Sequence, residues 1–247
     1  MAAADPPSSG RSNEWSKERF VNALFTTIAP RYDLMNTLLS FNQDKYWRRF
    51  AVRASGVGPG SAALDICCGT GELTLELAKA AGPAGRVIGL DFCPAMLAAA
   101  KEKIARSAYG ARIELVAGNA AALPFDDNTF DAVTIGFALR NVDSISAVLA
   151  EMRRVAKPGG RVVSVELAKP GLPVLRQVYK IYFERLVPFF GRLATGKAGP
   201  YGWLPESLRR YPHQREVSKI FAAAGLASIR CFELTGGIVA VHVGVKP

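Results

Sequence analysis

The chain has 247 residues, of which 49% are hydrophobic and 21% are charged, a balance typical of a folded globular protein rather than a disordered one. No uncharged apolar run approaches the ~18 residues that a spanning helix needs, and the N-terminal stretch has no apolar core of the kind found in secretory signals. These features argue against a membrane-spanning or exported protein. They predict a cytoplasmic location and a flexible tail at residues 1–14.

The net charge is +10, and it is unevenly distributed. Residues 151–220 contain 14 Lys and Arg but only five Asp and Glu. A basic surface suits anionic lipid, nucleic acid or an acidic ligand, although a merely solubilising surface fits equally well. The four cysteines lack the spacing of a disulfide framework or a metal site, so we expect small buried thiols and no bound metal.

Apolar strands alternate with helical stretches after an N-terminal helical block at 14–54, which predicts a parallel sheet covered by helices. Strands are predicted at Ser61–Ile66, Arg86–Leu90, Arg112–Val116, Phe130–Ile135 and Arg161–Glu166. Helices are predicted at Glu72–Ala81, Pro94–Arg106 and Asp143–Val155. The sequence Lys157-Pro158-Gly159-Gly160 is expected to form a tight turn after the last of these helices.

The pattern changes after the fifth strand. An aromatic-rich helical segment at Leu172–Leu193 precedes a looser Gly/Pro stretch at 194–205 and a helix near Arg215–Ala224. Two strands, Ser228–Leu234 and Ile238–Val245, form an expected antiparallel hairpin across the short connection at 235–237. The sequence therefore predicts one Rossmann-like α/β domain at 15–247, with a seven-stranded, mostly parallel sheet, a helical cap at 15–57 and a substrate- or membrane-facing insertion at 171–212.

A glycine loop, Asp65-Ile66-Cys67-Cys68-Gly69-Thr70-Gly71, follows the first strand, where open α/β sheets bind nucleotide-like ligands. Gly69 and Gly71 permit a sharp turn and a close approach to the ligand. Asp91 ends the second strand, 20 residues after Gly71, and is suited to bind ribose hydroxyls. Asp65 either contacts the ligand or orients the loop through backbone amides. These features alone fit NAD as well as S-adenosylmethionine.

Two further residues favour S-adenosylmethionine. The third glycine of the dinucleotide fingerprint is replaced by Thr74, and the helix begins with Glu72, whose carboxylate suits a cationic cofactor better than a diphosphate. After the third strand, Asn119 and Ala120 are placed to hold the adenine edge. An NAD-dependent oxidoreductase is also disfavoured because the chain lacks a hydride-shuttling Tyr-Lys or His-acid pair.

Separate blocks of the sequence occur in an order that resembles the quinone-biosynthesis C-methyltransferases, which methylate demethylmenaquinol and ubiquinone precursors. The resemblance extends from Phe25 to Lys246. Its blocks are IAPRYDLMN (28–36), LSF (39–41), YWRR (46–49), CGTG (68–71), GNA (118–120), LPFDDNTFD (123–131), LRNV (139–142), EMRRV (151–155) and LTGGIVA (234–240). The block at 41–49 looks more like the naphthoquinone enzymes than the benzoquinone enzymes.

The resemblance implies a class I methyltransferase fold and C-methylation of a reduced prenylated quinone, with demethylmenaquinol favoured over a ubiquinone-precursor benzoquinol. The expected cofactor-binding residues are Asp65, Gly69, Thr70, Gly71, Asp91, Phe92, Met96, Asn119, Ala120 and Gly136. Gly136 stands where the family often has Ser, Glu72 where it usually has Asp, and Ala138 where it usually has Gly. These departures concern details of the pocket.

Methylation of a hydroquinone carbon requires an adjacent hydroxyl to lose its proton, which calls for a base or a polarising group. Arg140 follows the fourth strand, and Tyr32 and Asp33 lie in the cap; these three are the catalytic candidates. An arginine cannot itself be the base, so Arg140 stabilises a phenolate, holds a water that takes the proton, or pairs with an acid to fix its loop. His213 is expected to cap a helix or lie at the surface, and His242 to be structural.

The expected partners are a prenylated hydroquinone and, by peripheral contact, a membrane surface. In Leu172–Leu193, apolar residues recur at helical spacing beside basic ones, a pattern that fits a membrane-facing helix, a lid over the substrate or a core helix. Nucleic acid is not expected, because the motifs of nucleic-acid methyltransferases are absent from the sequence. A non-catalytic cofactor-binding scaffold is the remaining alternative, and a homodimer is compatible with the sequence.

Overall fold

The computed structural model describes residues 14–182 and 199–247. Seven strands form one sheet in the order β3-β2-β1-β4-β5-β7-β6. The strands are β1 (Ala62–Ile66), β2 (Arg86–Asp91), β3 (Ile113–Ala117), β4 (Phe130–Gly136), β5 (Ala156–Leu167), β6 (Ala227–Leu234) and β7 (Val239–Val245). β1 to β5 are parallel, and β7 pairs antiparallel with both β5 and β6. The predicted seven-stranded sheet with its C-terminal hairpin is confirmed.

Nine helices are described in these two ranges. They are α1 (Glu14–Ile28), α2 (Tyr32–Leu39), α3 (Gln43–Ser55), α4 (Glu72–Ala81), α5 (Pro94–Ala105), α6 (Ile145–Val155), α7 (Pro173–Ile181), α8 (Gly199–Arg210) and α9 (Gln214–Ala223). In the described part of the chain, no helix is both long enough and apolar enough to cross a bilayer.

The core lies on both faces of the sheet, because successive side chains of a strand point to opposite faces. Ala63 belongs to the apolar cluster that includes α3 and α4. Its neighbour Leu64 belongs to the cluster that includes α6 and α9. Val87 and Ile88 of β2 divide between the same two clusters. Both faces are therefore covered, as a parallel sheet requires.

Two predicted boundaries of the α6–β5 region were wrong. α6 begins at Ile145 because Ser144 is its N-cap, and the Ser144 hydroxyl accepts a hydrogen bond from the amide of Ala147 at 3.2 Å. β5 begins at Ala156 rather than at Arg161, and the turn predicted at 157–160 interrupts its pairing with β4. Gly159 has a φ of +78°, and the register passes from Phe130–Ala156 directly to Ala132–Arg161. The amide of Gly159 donates to the carbonyl of Lys246 at 2.8 Å, so this turn is held against the end of the chain.

The prediction of a loose Gly/Pro stretch at 194–205 was wrong for residues 199–205. These residues belong to α8, which begins at Gly199 and contains Pro205. Leu204 and Leu208 lie four residues apart and pack against the α3–α4 core cluster, and this burial outweighs the helix-breaking composition. Residues 194–198 lie outside the described part of the chain. So do residues 183–193 of the predicted aromatic segment and residues 1–13 of the predicted tail.

α1 lies over the carboxyl edge of the sheet and is fastened there by polar contacts. Lys17 donates from Nζ to the carbonyl of Val142 at 2.7 Å and pairs with Asp143 at 3.4 Å. Glu18 accepts a hydrogen bond from the side-chain amide of Asn119 at 3.1 Å. α3, which was predicted to be part of the cap, packs on the sheet beside α4, β4 and β5. The helices that cover the edge are therefore α1 and α2.

Candidate active site

The glycine loop turns sharply between β1 and α4. Gly69 and Gly71 have φ values of +56° and +82°, a region that glycine enters without steric cost. A Cβ added at Gly69 would meet nothing within 4 Å. Gly69 thus borders open space, and its positive φ is what requires a glycine.

Asp91 connects this loop to the end of β2. Its Oδ2 accepts a hydrogen bond from the amide of Gly69 at 2.8 Å, and its Oδ1 accepts one from the amide of Cys93 at 2.8 Å. Burial raises the pKa of Asp91, and the backbone hydrogen bonds limit the rise. Since each carboxylate oxygen accepts more than one hydrogen bond, Asp91 retains acceptor capacity for a ligand.

A cavity of about 280 Å³ opens beside Asp91. We call it the cofactor cavity. Seven of the ten predicted cofactor-binding residues line it: Gly69, Asp91, Phe92, Met96, Asn119, Ala120 and Gly136. α1 supplies its cover through Glu18, Val21 and Phe25. At Gly136 an added Cβ would lie 3.1 Å from Cδ2 of Leu73, so a serine there would crowd its neighbour.

Asp65, Thr70 and Gly71 do not line the cofactor cavity. Asp65 is 1% exposed, and its two oxygens accept hydrogen bonds from the hydroxyls of Thr74 at 2.7 Å and Thr134 at 2.9 Å. Burial raises the pKa of Asp65 to about 7, against the lowering effect of these hydroxyls and of Arg48. Asp65 thus accepts from hydroxyls on α4 and β4, whereas one of its two predicted roles had it bond backbone amides of the loop.

Thr70 and Asp33 belong to a polar network that joins α2 to the glycine loop. The Thr70 hydroxyl donates to Oδ1 of Asp33 at 2.6 Å, and Lys103 bridges Asp33 at 2.5 Å and Glu72 at 2.6 Å. Glu72, which was predicted to suit a cationic cofactor, is paired with Lys103 and also lines a small cavity beside the loop. Asp33, a predicted catalytic residue, is absent from the described linings of the three cavities at this site and holds α2 against the glycine loop.

A second, mainly apolar cavity of about 300 Å³ lies between α2, α3 and α7. We call it the apolar cavity. Its lining includes Tyr32, Leu39, Phe41, Trp47, Phe137, Leu167, Leu175, Tyr179, Tyr182 and Ile238. Tyr32 and Phe137 also line the cofactor cavity, so the two cavities meet at these rings. Tyr32 was predicted; Phe137 was missed, although its place directly after β4 was a usable signal.

Arg140 lies in the wall of the apolar cavity. Its Nη1 donates to the carbonyl of Phe137 at 2.6 Å and to Oε1 of Glu166 at 2.5 Å. Its Nε is buried and has no hydrogen-bond partner among the described residues, and the same is true of Nδ2 of the next residue, Asn141. Asn141 lines the cofactor cavity and accepts a hydrogen bond at its Oδ1 from Trp203. Two buried donors of consecutive residues are thus left for a ligand or a water.

The two histidines have the expected structural roles. His213 is the N-cap of α9 and accepts a hydrogen bond from the amide of Arg215. His242 is 1% exposed in β7, with Nε2 2.9 Å from the carbonyl of Gln214. Burial lowers the pKa of His242.

The prediction of buried thiols was wrong for one of the four cysteines. Cys68 and Cys93 are buried and Cys67 is half-buried, but Cys231 is exposed. The reason is that Cys231 lies on β6, the edge strand of the sheet, where side chains have fewer neighbours.

The glycine loop after β1, the acid ending β2 and the polar turn after β3, on a sheet of this order, define a Rossmann-like methyltransferase that uses S-adenosylmethionine. The sequence matches the model of the ubiE/COQ5 methyltransferase family over residues 13–246. The chain belongs to this family.

Relatives and solved structures agree with that assignment. The chain is 47% identical over 232 residues to a demethylmenaquinone methyltransferase of Shouchella clausii, covering 94% of this chain and 98% of the relative. It is 47% identical over 231 residues to the enzyme of the same name from Bacillus subtilis. That match covers 94% of this chain and 99% of the relative.

The fold is also similar to that of a SAM dependent methyltransferase from Aquifex aeolicus, with a TM-score of 0.64 at 20% sequence identity. The superposition covers 87% of this chain and 98% of the other. A possible histamine N-methyltransferase from Thermotoga maritima gives a TM-score of 0.64 at 18% identity, with coverage of 91% and 99%. At this identity the two structures support the fold alone.

Proposed function

We propose that this enzyme methylates a ring carbon of demethylmenaquinol, a reduced prenylated naphthoquinone, to give menaquinol. The observation that carries the proposal is the meeting of the cofactor cavity and the apolar cavity at Tyr32 and Phe137. The names of the relatives at 47% identity favour the naphthoquinol over a ubiquinone-precursor benzoquinol. A comparison of turnover on the two reduced acceptors tests that choice: faster turnover of the benzoquinol would reverse it.

The cofactor cavity fits S-adenosylmethionine by the chemistry of its lining. Asp91 offers carboxylate oxygens to the ribose hydroxyls, while Phe92 and Met96 offer apolar surface to the adenine. Asn119 and Ala120 border the same cavity after β3. We assign these residues, with Gly69 and Gly136, to direct cofactor contact. Asp65 and Thr70 line a small adjoining cavity beside the loop, and Gly71 allows the loop to turn.

S-adenosylmethionine supplies an electrophilic methyl group when it is bound. The chain's own residues must hold the acceptor carbon in line and make it nucleophilic. We propose that Nε of Arg140 and Nδ2 of Asn141 donate hydrogen bonds to the hydroxyl oxygen of the acceptor. Both are buried donors without a partner among the described residues. Donors of this kind stabilise negative charge as the hydroxyl gives its proton to water, and the methylated ring carbon then loses its own proton to water. Tyr32 lies at the junction and orients the ring.

We further propose that the face formed by α2 and α7 touches the membrane. Apolar side chains are exposed there: Leu34 (61%), Leu38 (58%), Phe41 (77%), Leu172 (66%), Val174 (79%) and Ile181 (46%). The two helices adjoin, because the Tyr182 hydroxyl donates to the carbonyl of Leu39 at 2.6 Å. Phe41 also lines the apolar cavity, which gives a prenyl tail a route from the bilayer.

A further inference from the structure

A small cavity of about 40 Å³ continues the cofactor cavity on the side of the glycine loop. We call it the loop cavity. The two cavities share five lining residues: Tyr32, Cys67, Gly69, Gly136 and Phe137. Thr70 and Arg48 line the loop cavity but not the cofactor cavity. A ligand that fills the larger space can therefore extend one end into the smaller one.

Arg48 is the sole cation among the described residues that line either cavity. The other charged residues of the two linings are acids: Glu18, Asp91 and Asp143 in the cofactor cavity, and Asp65 and Glu72 in the loop cavity. S-adenosylmethionine carries a sulfonium, an ammonium and a single carboxylate. An acidic lining attracts the two cationic groups and disfavours the carboxylate at every place except beside Arg48.

The Arg48 guanidinium is held in place but keeps most of its donors. Arg48 is 6% exposed on α3, its Nη1 donates to Oδ2 of Asp44 at 2.5 Å, and its Cζ lies 5.6 Å from the centroid of the Phe137 ring. Asp44 in turn accepts a hydrogen bond from the hydroxyl of Ser40 at 2.9 Å. Among the described residues, Asp44 is the only hydrogen-bond partner of this guanidinium. The remaining donors of the planar fork match a second carboxylate.

We propose that Arg48 binds the α-carboxylate of S-adenosylmethionine, with the adenosine in the cofactor cavity and the amino-acid end in the loop cavity. Asp44 is a positioning residue that holds the guanidinium. This assignment concerns the cofactor and is independent of which quinol accepts the methyl group. It also gives a role to a buried arginine whose ion pair alone contributes little net stability.

The test measures binding by calorimetry, without turnover. S-adenosylhomocysteine carries the carboxylate, and 5′-methylthioadenosine lacks the whole amino-acid end. We expect Arg48→Gln to weaken the binding of S-adenosylhomocysteine by about 10- to 100-fold, as for the loss of a charge-assisted hydrogen bond. Binding of 5′-methylthioadenosine should remain unchanged, which also shows that the variant is folded. Arg53→Gln, at an exposed arginine on the same helix, is the matched control and should change neither.

Decarboxylated S-adenosylmethionine isolates the single group, because it lacks only the carboxylate. It should bind equally well to the wild-type protein and to Arg48→Gln. An equal loss of affinity for S-adenosylhomocysteine and 5′-methylthioadenosine in Arg48→Gln, or no loss for either, would overturn the proposal. If Arg48→Gln does not fold, Arg48→Lys replaces it. The lysine variant should lose affinity for S-adenosylhomocysteine but not for 5′-methylthioadenosine, and equal effects on both would again overturn the assignment.

Discussion

The guanidinium of Arg140 donates to Oε1 of Glu166 at 2.5 Å, with the two side chains 9% and 2% exposed. Oε2 of the same carboxylate accepts a hydrogen bond from the backbone amide of Arg140 at 3.2 Å. Arg140 follows β4, and Glu166 lies in the neighbouring strand β5. Glu166 thus holds both the backbone and the side chain of Arg140, the residue that we propose contacts the hydroxyl oxygen of the acceptor.

Replacing Glu166 with Gln should destabilise the fold strongly. The substitution leaves the Arg140 charge buried without its counter-ion, a situation that typically costs about 3–5 kcal/mol. Urea denaturation measures the free energy of unfolding. Glu114→Gln is the control, because Glu114 and its partner Arg86 have side chains 54% and 64% exposed and such pairs contribute about 1 kcal/mol or less. Similar losses for the two variants would contradict this view of the Arg140–Glu166 pair.

Replacing Arg140 with Lys should lower kcat while cofactor binding survives. Lysine preserves the charge beside Glu166 but removes the buried Nε donor, so we expect a decrease of about 10- to 100-fold in kcat. The Kd of S-adenosylhomocysteine should not change, because Arg140 lines the apolar cavity and not the cofactor cavity. Arg209→Lys, at a side chain 67% exposed, serves as the control. Normal kcat in Arg140→Lys would remove Nε from the mechanism.

The stability of the protein should depend on pH through Asp65. Its pKa in the folded state is about 7 against 3.8 for a free carboxyl, so between these values the folded state binds the extra proton. The free energy of unfolding therefore falls as pH rises, by up to about 1.4 kcal/mol per pH unit from this group. Asp65→Asn should lack this contribution, and its stability relative to the wild type should increase from about pH 4.5 to about pH 6.5.

Urea denaturation across this range checks the prediction for Asp65. Asp127→Asn provides the comparison, because the Asp127 side chain is 65% exposed. A difference between wild type and Asp65→Asn that stays constant with pH would show that Asp65 is ionised in the folded state throughout.

Membrane contact should depend on the exposed face of α2 and α7. Phe41 is 77% exposed at the rim of the apolar cavity, and the double variant Leu38→Ser, Phe41→Ser should reduce co-sedimentation with vesicles that contain anionic lipid. The loss follows from the apolar surface that no longer enters the bilayer. Tyr46→Ser, at a residue 44% exposed on α3 and outside the proposed face, is the control. Unchanged binding of the double variant would place the membrane-facing surface elsewhere.

Much of the fold follows from local patterns. β1, β2 and β4 are buried strands whose apolar runs end at glycine or aspartate, and α4 begins and ends at the predicted residues Glu72 and Ala81. Where the prediction was wrong, contacts distant in sequence decided the structure. Packing of Leu204 and Leu208 on the core makes a helix of a Gly/Pro-rich stretch. No local pattern carries such information.

The site was predicted in the same uneven way. Asp91 and Asn119 follow strands whose carboxyl ends meet at one edge, so their shared cavity was foreseeable. The network of Asp33 and Lys103 was not, because these residues are 70 positions apart and only the placement of α2 over the glycine loop brings them together. Arg48 was missed for a similar reason: its helix, α3, packs on the sheet and carries the guanidinium to the loop cavity.

The most direct test of the account is mass spectrometry after incubating the protein with methyl-labelled S-adenosylmethionine and either demethylmenaquinol or its oxidised quinone. The account predicts one labelled methyl group on a ring carbon of the quinol and none on the quinone, because only the quinol has a hydroxyl whose proton loss activates the ring. Label on a hydroxyl oxygen, equal labelling of both forms, or labelling of neither would contradict it.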